Sequence, residues 1–220
     1  MEKKDLYISH IEKALNDAEN KISKINEDIL KIDGMTGCKT RHFYNNIVNI
    51  NDSRYLEIGS WKGSSVSAAM FENNATIVVI DDFSEISKDF QNCLIENIEK
   101  YKGNNNVVFY NEDCFSINLL KLPKFNIYMY DAEHSSISHY KALEYYYNNM
   151  DDIFIYIVDD WNWDGVRYGT IQAINNLNLK ILYMKEIITN NDEKSNEEWI
   201  DNKYYGINWW NGMVVFLLSK

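Results

Sequence analysis

YLEIGSWKGSS (residues 55–65) joins a short apolar segment to a glycine-containing loop and to the beginning of a helical pattern. Four similar apolar segments follow: ATIVVID (75–81), NVVFYNED (106–113), FNIYMYDA (125–132) and IFIYIVDD (153–160). They are rich in β-branched and aromatic residues. Helices are expected between and after them, over 63–73, 86–102, 115–121, 138–149 and 165–177. This alternation is typical of a parallel sheet that is covered by helices on both faces. The sequence therefore predicts an α/β fold with a doubly wound sheet.

The C-terminal region has a different pattern. KILYMKEI (180–187) and GMVVFLLSK (212–220) have the composition of strands, but only a charged, tryptophan-bearing connection lies between them. The polar stretch 190–198 within it is expected to be a mobile loop. Two consecutive strands without a crossover helix pair antiparallel or lie far apart. We therefore expect a mostly parallel, seven-stranded sheet with an antiparallel last strand.

The N-terminal region predicts a long helix over residues 5–32. Apolar residues recur there at alternating steps of three and four, and Asp33-Gly34 is a typical helix end. The helix either lies across its own domain or forms a coiled-coil seam in a homodimer, and the pattern leaves both interpretations open. A second, short helix is expected near 38–49. The chain is thus predicted to comprise an N-terminal helical extension, residues 1–50, and a main domain, residues 51–220.

The charge and composition of the chain limit the classes of partner that it is expected to bind. Lys and Arg number 22 against 33 Asp and Glu, a formal net charge of -11, so little positive charge is available to neutralise nucleic-acid phosphates. The three cysteines have no CxxC spacing, which favours reduced thiols in the cytoplasm over a disulfide framework. No apolar run reaches the roughly 18 residues of a membrane span, and the first residues lack the apolar core of a signal peptide. We expect a cytoplasmic protein without a nucleic-acid or membrane partner.

Acidic residues stand at the carboxyl ends of the predicted strands. Five strands end in carboxylates: Glu57, Asp81, Asp113, Asp131 and the pair Asp159-Asp160. In an open α/β sheet, the ligand binds outside the carboxyl ends of the strands. Gly59 and Gly63 in the loop after the first strand allow the backbone to approach a ligand closely. This loop differs from the dinucleotide fingerprint GxGxxG, and a carboxylate beside it suits a cationic ligand and repels a pyrophosphate.

Residues 54–113 resemble the cofactor half of class I S-adenosylmethionine-dependent methyltransferases. The resemblance implies that S-adenosylmethionine is the cofactor and that these loop residues surround its methionine moiety: Gly59, Ser60, Gly63, Ser64 and Ser65. It also implies that Glu57 lies near the amino group of the cofactor. Asp81 would hold the ribose hydroxyls, since a carboxylate accepts two hydrogen bonds, and Asp113 would accept from the adenine amino group.

Two further features follow from the same resemblance. GMTG (34–37) precedes the sheet, where related enzymes fold a segment over the cofactor carboxylate, and the resemblance therefore implies Thr36 at that carboxylate. A loop without a binding role is the alternative for this segment. Residues 51–220 would form the methyltransferase domain.

A second group of acids belongs to the fourth and fifth strands. From Asp131 to Asp159 the chain advances by 159 − 131 = 28 positions, one strand–helix–strand crossover, so Asp131, Asp159 and Asp160 should meet at one sheet edge. Carboxylates that lie so near to one another repel each other unless a cation or a proton compensates their charge. Three oxygen ligands with room for water are typical of Mg²⁺ or a similar divalent ion. A loop network without metal is the alternative.

The segments DAEH (131–134) and VDDWNWDGV (158–166) resemble the metal-dependent O-methyltransferases, especially the macrolide-sugar group and its relatives in cephalosporin biosynthesis. The resemblance implies that the three acids bind a divalent metal, which holds two substrate oxygens, and that His134 is the catalytic base. An imidazole with an ordinary pKa of about 6.5 accepts a hydroxyl proton at neutral pH. A structural histidine is the alternative. The chain departs from many relatives at NMDD (149–152), which stands where they have a glycine pair.

The sequence thus favours methyl transfer from S-adenosylmethionine to a hydroxyl group of a small molecule, of the sugar or natural-product type. A non-catalytic nucleotide-binding or interaction module with the same fold is the alternative, and an NAD-dependent oxidoreductase is a weaker one. Aromatic residues near the predicted site are expected to serve mainly in core packing, with ligand contacts as the alternative: Trp161, Trp163, Tyr204, Tyr205, Trp209 and Trp210.

Overall fold

The computed structural model describes residues 2–84, 89–189, 198–200, 203–205 and 208–220. The strands, numbered in chain order, are β1 (Arg54–Ile58), β2 (Thr76–Ile80), β3 (Asn106–Tyr110), β4 (Phe125–Tyr130), β5 (Met150–Asp159), β6 (Lys180–Ile187), β7 (Glu198–Ile200), β8 (Lys203–Tyr205) and β9 (Met213–Ser219). The helices are α1 (Lys3–Glu19), α2 (Glu27–Leu30), α3 (Cys38–Val48), α4 (Ser64–Met70), α5 (Phe90–Tyr101), α6 (Ser136–Tyr146) and α7 (Asp164–Asn176).

Seven strands form one sheet in the order β3-β2-β1-β4-β5-β9-β6. The first five strands of this order are parallel to one another. β9 lies between β5 and β6 and is antiparallel to both. The order reverses direction between β1 and β4, so the two halves of the sheet diverge there. The prediction of a mostly parallel, seven-stranded sheet with an antiparallel last strand is confirmed.

Alternate residues of the strands face two hydrophobic layers, as the pleat of a strand requires. Ile77 and Val79 of β2 pack with α1, α3, α4 and α5 on one side. Val78 and Ile80 of the same strand belong to the layer that contains α6 and α7 on the other. Both faces of the sheet are therefore covered, which explains why the central strands read as continuous apolar runs. The doubly wound arrangement is confirmed.

The prediction of one helix over residues 5–32 is wrong. α1 ends at Glu19, and the single-turn helix α2 begins only after a turn in which Lys21 has a φ of 55°. Short polar side chains explain the interruption. Asn26 caps the first turn of α2 through its side chain, and Ser23 Oγ accepts a hydrogen bond from the backbone amide two residues later. Such local bonds compete with those of a continuous helix.

Most of the apolar residues that suggested a dimer seam lie against the core of their own chain. Ile11 and Ala18 are buried in the layer formed with α3 and the sheet, and Ile8 and Leu15 pack partly buried against it. Ile22 is the exception, with 58% of its surface exposed. Ile29 of α2 packs against Ala68 of α4. The packing therefore agrees with helices laid across the domain and gives no support to the seam. The division of the chain at residue 50 stays a prediction.

Two connections differ from the predicted pattern. The helix expected over 115–121 is reduced to one turn of 3₁₀ helix, Leu119–Lys121, which the side chain of Asn118 caps. A small antiparallel hairpin, β7–β8, lies in the connection before β9. The start of the helix predicted over 86–102 and most of the loop predicted at 190–198 lie outside the described residues. Among the helices in the described ranges, none has the length and apolar character that crossing a membrane requires.

Candidate active site

A cavity of about 570 Å³ opens at the carboxyl ends of β1, β2, β4 and β5. Most of the residues that the sequence predicted for the site line this cavity: Thr36, Gly59, Ser60, Ser64, Ser65, Asp81, Asp113, Asp131, His134 and Asp160. Three predicted residues, Glu57, Gly63 and Asp159, do not line it. The cavity lies where the strand order reverses, the expected ligand position in a sheet of this kind.

Gly59 allows the turn after β1 to pass close to the end of β4. Its φ is 82°, and an added Cβ would stand 1.9 Å from the carbonyl oxygen of Asp131. The amide of Asp131 in turn donates a hydrogen bond of 2.9 Å to the carbonyl oxygen of Ile58. Only glycine combines this left-handed backbone with the absence of a side chain. Gly63 has a similar φ of 84° and begins α4 at the other end of this glycine loop, residues 59–63.

Glu57 stabilises the glycine loop through buried hydrogen bonds. Its carboxylate is fully buried and accepts hydrogen bonds of 2.6 Å from the hydroxyl groups of Tyr55, Ser60 and Ser65. Burial raises the pKa of Glu57 to about 7, although the three hydroxyl groups favour the ionised form. These contacts fix the loop to β1 and α4, and the side chain is directed away from the cavity.

Replacing Glu57 by glutamine is expected to reduce the pH dependence of the free energy of unfolding. The pKa of Glu57 is about 7 in the folded protein against an ordinary value of 4.5, so the folded state holds the proton more tightly than the unfolded chain. The resulting stability is fully present below pH 4.5 and is lost as the pH rises through the folded pKa. Each unit of pKa difference corresponds to about 1.4 kcal/mol, hence up to roughly 3 kcal/mol in total.

Urea unfolding of the parent and of Glu57→Gln at several pH values between about 5 and 8 measures this effect. The stability of the variant relative to the parent should rise with pH. Glu96→Gln, a change at an exposed position of α5, is the matched control and should leave the pH profile unchanged. A constant difference between Glu57→Gln and the parent across this range would contradict the raised pKa.

The two acids predicted for the ribose and the adenine both line the cavity but have backbone partners. Asp81 accepts hydrogen bonds of 2.8 Å from the amides of Ser60 and Trp61 through Oδ2 and from the amide two residues after itself through Oδ1. Asp113 accepts from the amide of Phe115 and from a serine hydroxyl. Asp81 therefore holds the glycine loop against β2. Its Oδ2 already accepts two hydrogen bonds, whereas Oδ1 accepts one and retains capacity for another.

Thr36 belongs to a segment that covers one side of the cavity. Arg41 of α3 is buried and holds the preceding turn by donating to the carbonyl oxygens of Ile29, Ile32 and Gly34. Lys62 of the glycine loop pairs with Asp33 of the same turn. The segment is thus fixed to both α3 and the loop, which places Thr36 at the cavity wall.

Two polar atoms near this wall lack a protein partner. The hydroxyl of Thr36, a residue only 4% exposed, and the indole Nε1 of Trp61 are buried and make no hydrogen bond within the described residues. A buried donor without a partner costs about 1–3 kcal/mol. Both residues line the cavity, so a ligand with acceptor atoms would remove that cost. Composition and spacing gave no signal for Trp61, because its role depends on the loop conformation, with a φ of 46°.

Asp131, His134 and Asp160 form a compact cluster after the ends of β4 and β5. Each offers one ligand atom, and these atoms lie within 4.8 Å of one another. His134 Nε2 is 2.7 Å from Asp160 Oδ2 and 3.8 Å from Asp131 Oδ1. The shorter contact lacks in-line hydrogen-bond geometry, and Asp160 Oδ1 has no hydrogen-bond partner among the described residues. Asp160 also has a φ of 53°, a costly conformation for a residue other than glycine that is typical of functional sites.

The charges in this cluster change the pKa values of its members. Burial raises the pKa of Asp131 to about 6, while His134 lowers it. Burial lowers the pKa of His134, but the carboxylates of Asp131 and Asp160 outweigh this effect and the pKa is raised to about 10. With both carboxylates ionised and no other cation beside them, His134 is therefore protonated at neutral pH.

Asp159 points to the other side of the sheet. Its carboxylate is almost fully buried, accepts a hydrogen bond of 3.1 Å from the hydroxyl of Tyr44, and accepts another from the amide of Asp160. Burial raises its pKa well above the ordinary value. The three acids therefore lie at one edge of the sheet, as expected, but only Asp131 and Asp160 line the cavity. The sequence gave no sign of Tyr44 as a partner, because α3 and β5 are 115 positions apart.

The aromatic residues divide between core and cavity. Trp161 and Trp209 are buried and belong to the hydrophobic layers, which confirms core packing for these two. Trp163 and Trp210 line the cavity, and Trp163 is 45% exposed. The side chains of β8, which include the predicted Tyr204 and Tyr205, lie outside the described part of the structure.

No family model and no curated protein sequence matches the chain. Solved structures do match its fold. An O-methyltransferase from Bacillus cereus in complex with SAH is 14% identical, with a TM-score of 0.57 over 96% of this chain and 91% of that chain. An SAH-bound methyltransferase from Podospora anserina is 13% identical, with a TM-score of 0.54 over 100% and 89% of the two chains.

A third similar structure has a different name. The precorrin-8w decarboxylase from Methanobacterium thermoautotrophicum is 12% identical, with a TM-score of 0.55 over 92% of this chain and 98% of that chain. At such identities the similarity concerns the fold alone. The fold does not define the reaction, which depends on the residues that line the cavity.

Proposed function

The chain has the fold of class I S-adenosylmethionine-dependent methyltransferases, and we propose that it transfers a methyl group from S-adenosylmethionine to a hydroxyl group of a small molecule. One observation carries this proposal: the glycine loop and the cluster of Asp131, His134 and Asp160 border the same cavity. A cofactor site and a proton-accepting site that border one cavity suit a transfer between two bound molecules.

The cofactor is proposed to bind along the glycine loop. Ser60, Ser64 and Ser65 line the cavity there, and Thr36 and Trp61 offer unpaired donors to its carboxylate or hydroxyl groups. Asp81 and Asp113 are proposed to face the ribose and the adenine. Glu57 and Gly63 are proposed to act indirectly, since the first anchors the loop and the second begins α4. Carboxylates along this wall favour a cationic sulfonium over a polyphosphate.

The cluster of Asp131, His134 and Asp160 fits a divalent cation. The close ligand atoms and the unpartnered Asp160 Oδ1 support this fit, and hard oxygen ligands are typical of Mg²⁺. We propose that Asp131 and Asp160 hold the ion, and that Asp159 positions Asp160 by accepting a hydrogen bond from its amide, because the oxygens of Asp159 have other partners. When bound, the ion would supply positive charge that lowers the pKa of an acceptor hydroxyl and offsets the two carboxylates.

His134 is proposed to accept the proton of the hydroxyl group. Once the charges of Asp131 and Asp160 are offset, the interactions that raise the pKa of His134 weaken and its Nε2 becomes available as a base. In the transfer, the methyl–sulfur bond breaks, a carbon–oxygen bond forms and the hydroxyl proton passes to Nε2. The products are the methyl ether and S-adenosylhomocysteine. The chain contributes mainly by holding oxygen, carbon and sulfur in line.

The finer expectations are part of the same proposal. A sugar or natural-product acceptor, a cytoplasmic location and the absence of a nucleic-acid partner are supported only by the sequence resemblance, the cysteine pattern and the net charge of -11. The methyltransferase domain is proposed to begin near residue 51.

Isothermal calorimetry tests the proposal. S-adenosylmethionine should bind in the micromolar range or tighter, whereas NAD at the same concentrations should give no heat of binding, because the cavity wall repels a pyrophosphate. Mg²⁺ should bind to the parent in the presence of S-adenosylhomocysteine, and Asp160→Asn should weaken that binding about tenfold or more, since it removes a charged ligand.

The contrary results separate the alternatives. Binding of NAD instead of S-adenosylmethionine would favour an oxidoreductase, and binding of neither would favour an interaction module. A parent that binds S-adenosylmethionine and transfers methyl groups at an unchanged rate in the presence of a chelator would remove the divalent ion from the proposal. Glu96→Gln, on the exposed side of α5, is a control for the loss of one negative charge in Asp160→Asn.

A further inference from the structure

Lys141 is the single lysine or arginine among the described residues that line the cavity. It lies on α6, its side chain is exposed, and no hydrogen bond or ion pair holds its ammonium group within the described part of the chain. Acids outnumber bases in the chain, 33 to 22, and acids also dominate the cavity wall. An ammonium group that stays without a carboxylate partner in such surroundings is available to a ligand.

The acids nearest to Lys141 in the sequence have other partners. Glu133 accepts hydrogen bonds from the amide and the hydroxyl of Ser135. Glu144, one turn further along α6, accepts from the hydroxyl of Tyr140. Asp131 and Asp160 belong to the cluster with His134. Each of these carboxylates therefore has a partner other than the ammonium group.

Two exposed apolar side chains line the cavity beside this lysine. Ile137 is 66% exposed and lies one helical turn before Lys141, on the same face of α6. Trp163 is 45% exposed, and its ring centroid is 4.7 Å from that of His134. Large apolar side chains that remain exposed inside a cavity typically contact the apolar part of a ligand. The wall on this side thus combines an apolar surface, a base and a cation.

We propose that the methyl acceptor is a ring compound that carries an anionic group, a carboxylate, in addition to its hydroxyl group. The ring lies against Trp163 and Ile137, the hydroxyl group faces His134, and the carboxylate pairs with Lys141. The distance of about 6 Å along the helix from Ile137 to Lys141 is comparable with the length of one substituted ring. This inference rests on the proposed function, since it uses the same cavity and the same base.

Two diols that differ only by a carboxylate test the inference: catechol and 3,4-dihydroxybenzoate. Their binding to the protein saturated with S-adenosylhomocysteine and Mg²⁺ is measured by calorimetry, so the test does not require turnover. The carboxylated diol should bind about tenfold more tightly, as expected for a hydrogen bond to a charged group. Lys141→Gln should abolish this preference, and Lys141→Arg should retain most of it.

Two further variants separate the parts of the inference. Lys121→Gln removes the same charge at an exposed position outside the cavity and should preserve the preference. Trp163→Ala should weaken the binding of both diols to a similar degree, because the ring contact is common to them. This pattern distinguishes recognition by Lys141 from a general effect of net charge.

The contrary outcomes are distinct. Equal affinity for the two diols, a preference that persists in Lys141→Gln, or no binding of either diol would overturn the inference about the acceptor. In each of these cases the prior binding of S-adenosylhomocysteine would leave the proposed cofactor in place. Failure of S-adenosylhomocysteine itself to bind would overturn the proposed function, and the inference about the acceptor with it.

Discussion

Replacing His134 by alanine is expected to lower the turnover number about 10²–10⁴-fold, the range typical of a general base, and to leave the affinity for S-adenosylmethionine nearly unchanged. The reason is the location of His134, which follows β4 and lies with Asp131 and Asp160, outside the glycine loop along which the cofactor is proposed to bind. The loss should therefore appear in the chemical step. Single-turnover methyl transfer and calorimetric titration of the cofactor measure the two quantities separately.

Two companion variants sharpen this test. His134→Gln retains a polar side chain without a titratable nitrogen and should be nearly as slow as His134→Ala. His10→Gln changes a histidine of α1 whose Nε2 contacts the carbonyl oxygen of Ile47, far from the cavity lining, and should keep the parental rate. Parental turnover in His134→Ala would show that another group, or solvent, takes the proton.

Replacing Gly59 by alanine is expected to destabilise the protein by about 2–5 kcal/mol. A Cβ at this position would stand 1.9 Å from the carbonyl oxygen of Asp131, and a backbone atom cannot move away as a flexible side chain can. A left-handed residue with a side chain adds about 1–2 kcal/mol, and overpacking adds typically 1–3 kcal/mol. The separation of β1 and β4 that relieves the contact should also abolish cofactor binding.

Glycine positions elsewhere provide a graded control for this variant. An added Cβ at Gly165 would meet no atom nearer than 3.5 Å, and one at Gly63 would meet the flexible Cδ1 of Leu94 at 2.7 Å. Urea unfolding should therefore rank the alanine variants by stability as Gly165, Gly63 and Gly59, from highest to lowest. If Gly59→Ala yields no folded protein, its failure beside a folded Gly165→Ala still supports the prediction, whereas equal midpoints for both would contradict it.

Apolar periodicity was a reliable guide to the sheet but not to the N-terminal helices. The central strands, such as β4 and β9, are buried on both faces, so their sequences are continuous apolar runs, whereas the edge strands β3 and β6 are partly exposed. The spacing over 5–32 was compatible with a helix throughout, yet Ser23 and Asn26 end and restart the helix through local hydrogen bonds. Three short polar residues, one of them Asn20 at the C-cap of α1, outweighed the apolar repeat.

The acids of the candidate site illustrate a second limit of the sequence. Their position at strand ends correctly predicted the cavity, because parallel strands bring these ends to one edge. Asp159 and Asp160 are neighbours, however, and only Asp159 belongs to β5, whereas Asp160 follows the strand with a left-handed φ of 53°. Asp159 accordingly contacts Tyr44, while Asp160 lines the cavity. The division depends on the left-handed backbone of Asp160, which residue type and spacing do not predict.

Lys141 and Trp163 were beyond prediction for a different reason. Lysines on helices are usually solvated, and tryptophans usually pack in the core, so residue type alone favours the ordinary interpretation of both. Their significance depends on side-chain exposure within the cavity, which only the folded chain defines.

The position of β9 between β5 and β6 has a consequence for biosynthesis. β6 contacts the sheet through β9, so a nascent chain that has reached residue 187 lacks the neighbour on which that strand depends. β5 likewise exposes one unpaired edge until residues 213–219 leave the ribosome. This half of the sheet should therefore form only after translation of those residues. Until then, the unpaired strand edges of β5 and β6 are exposed and should be binding sites for chaperones.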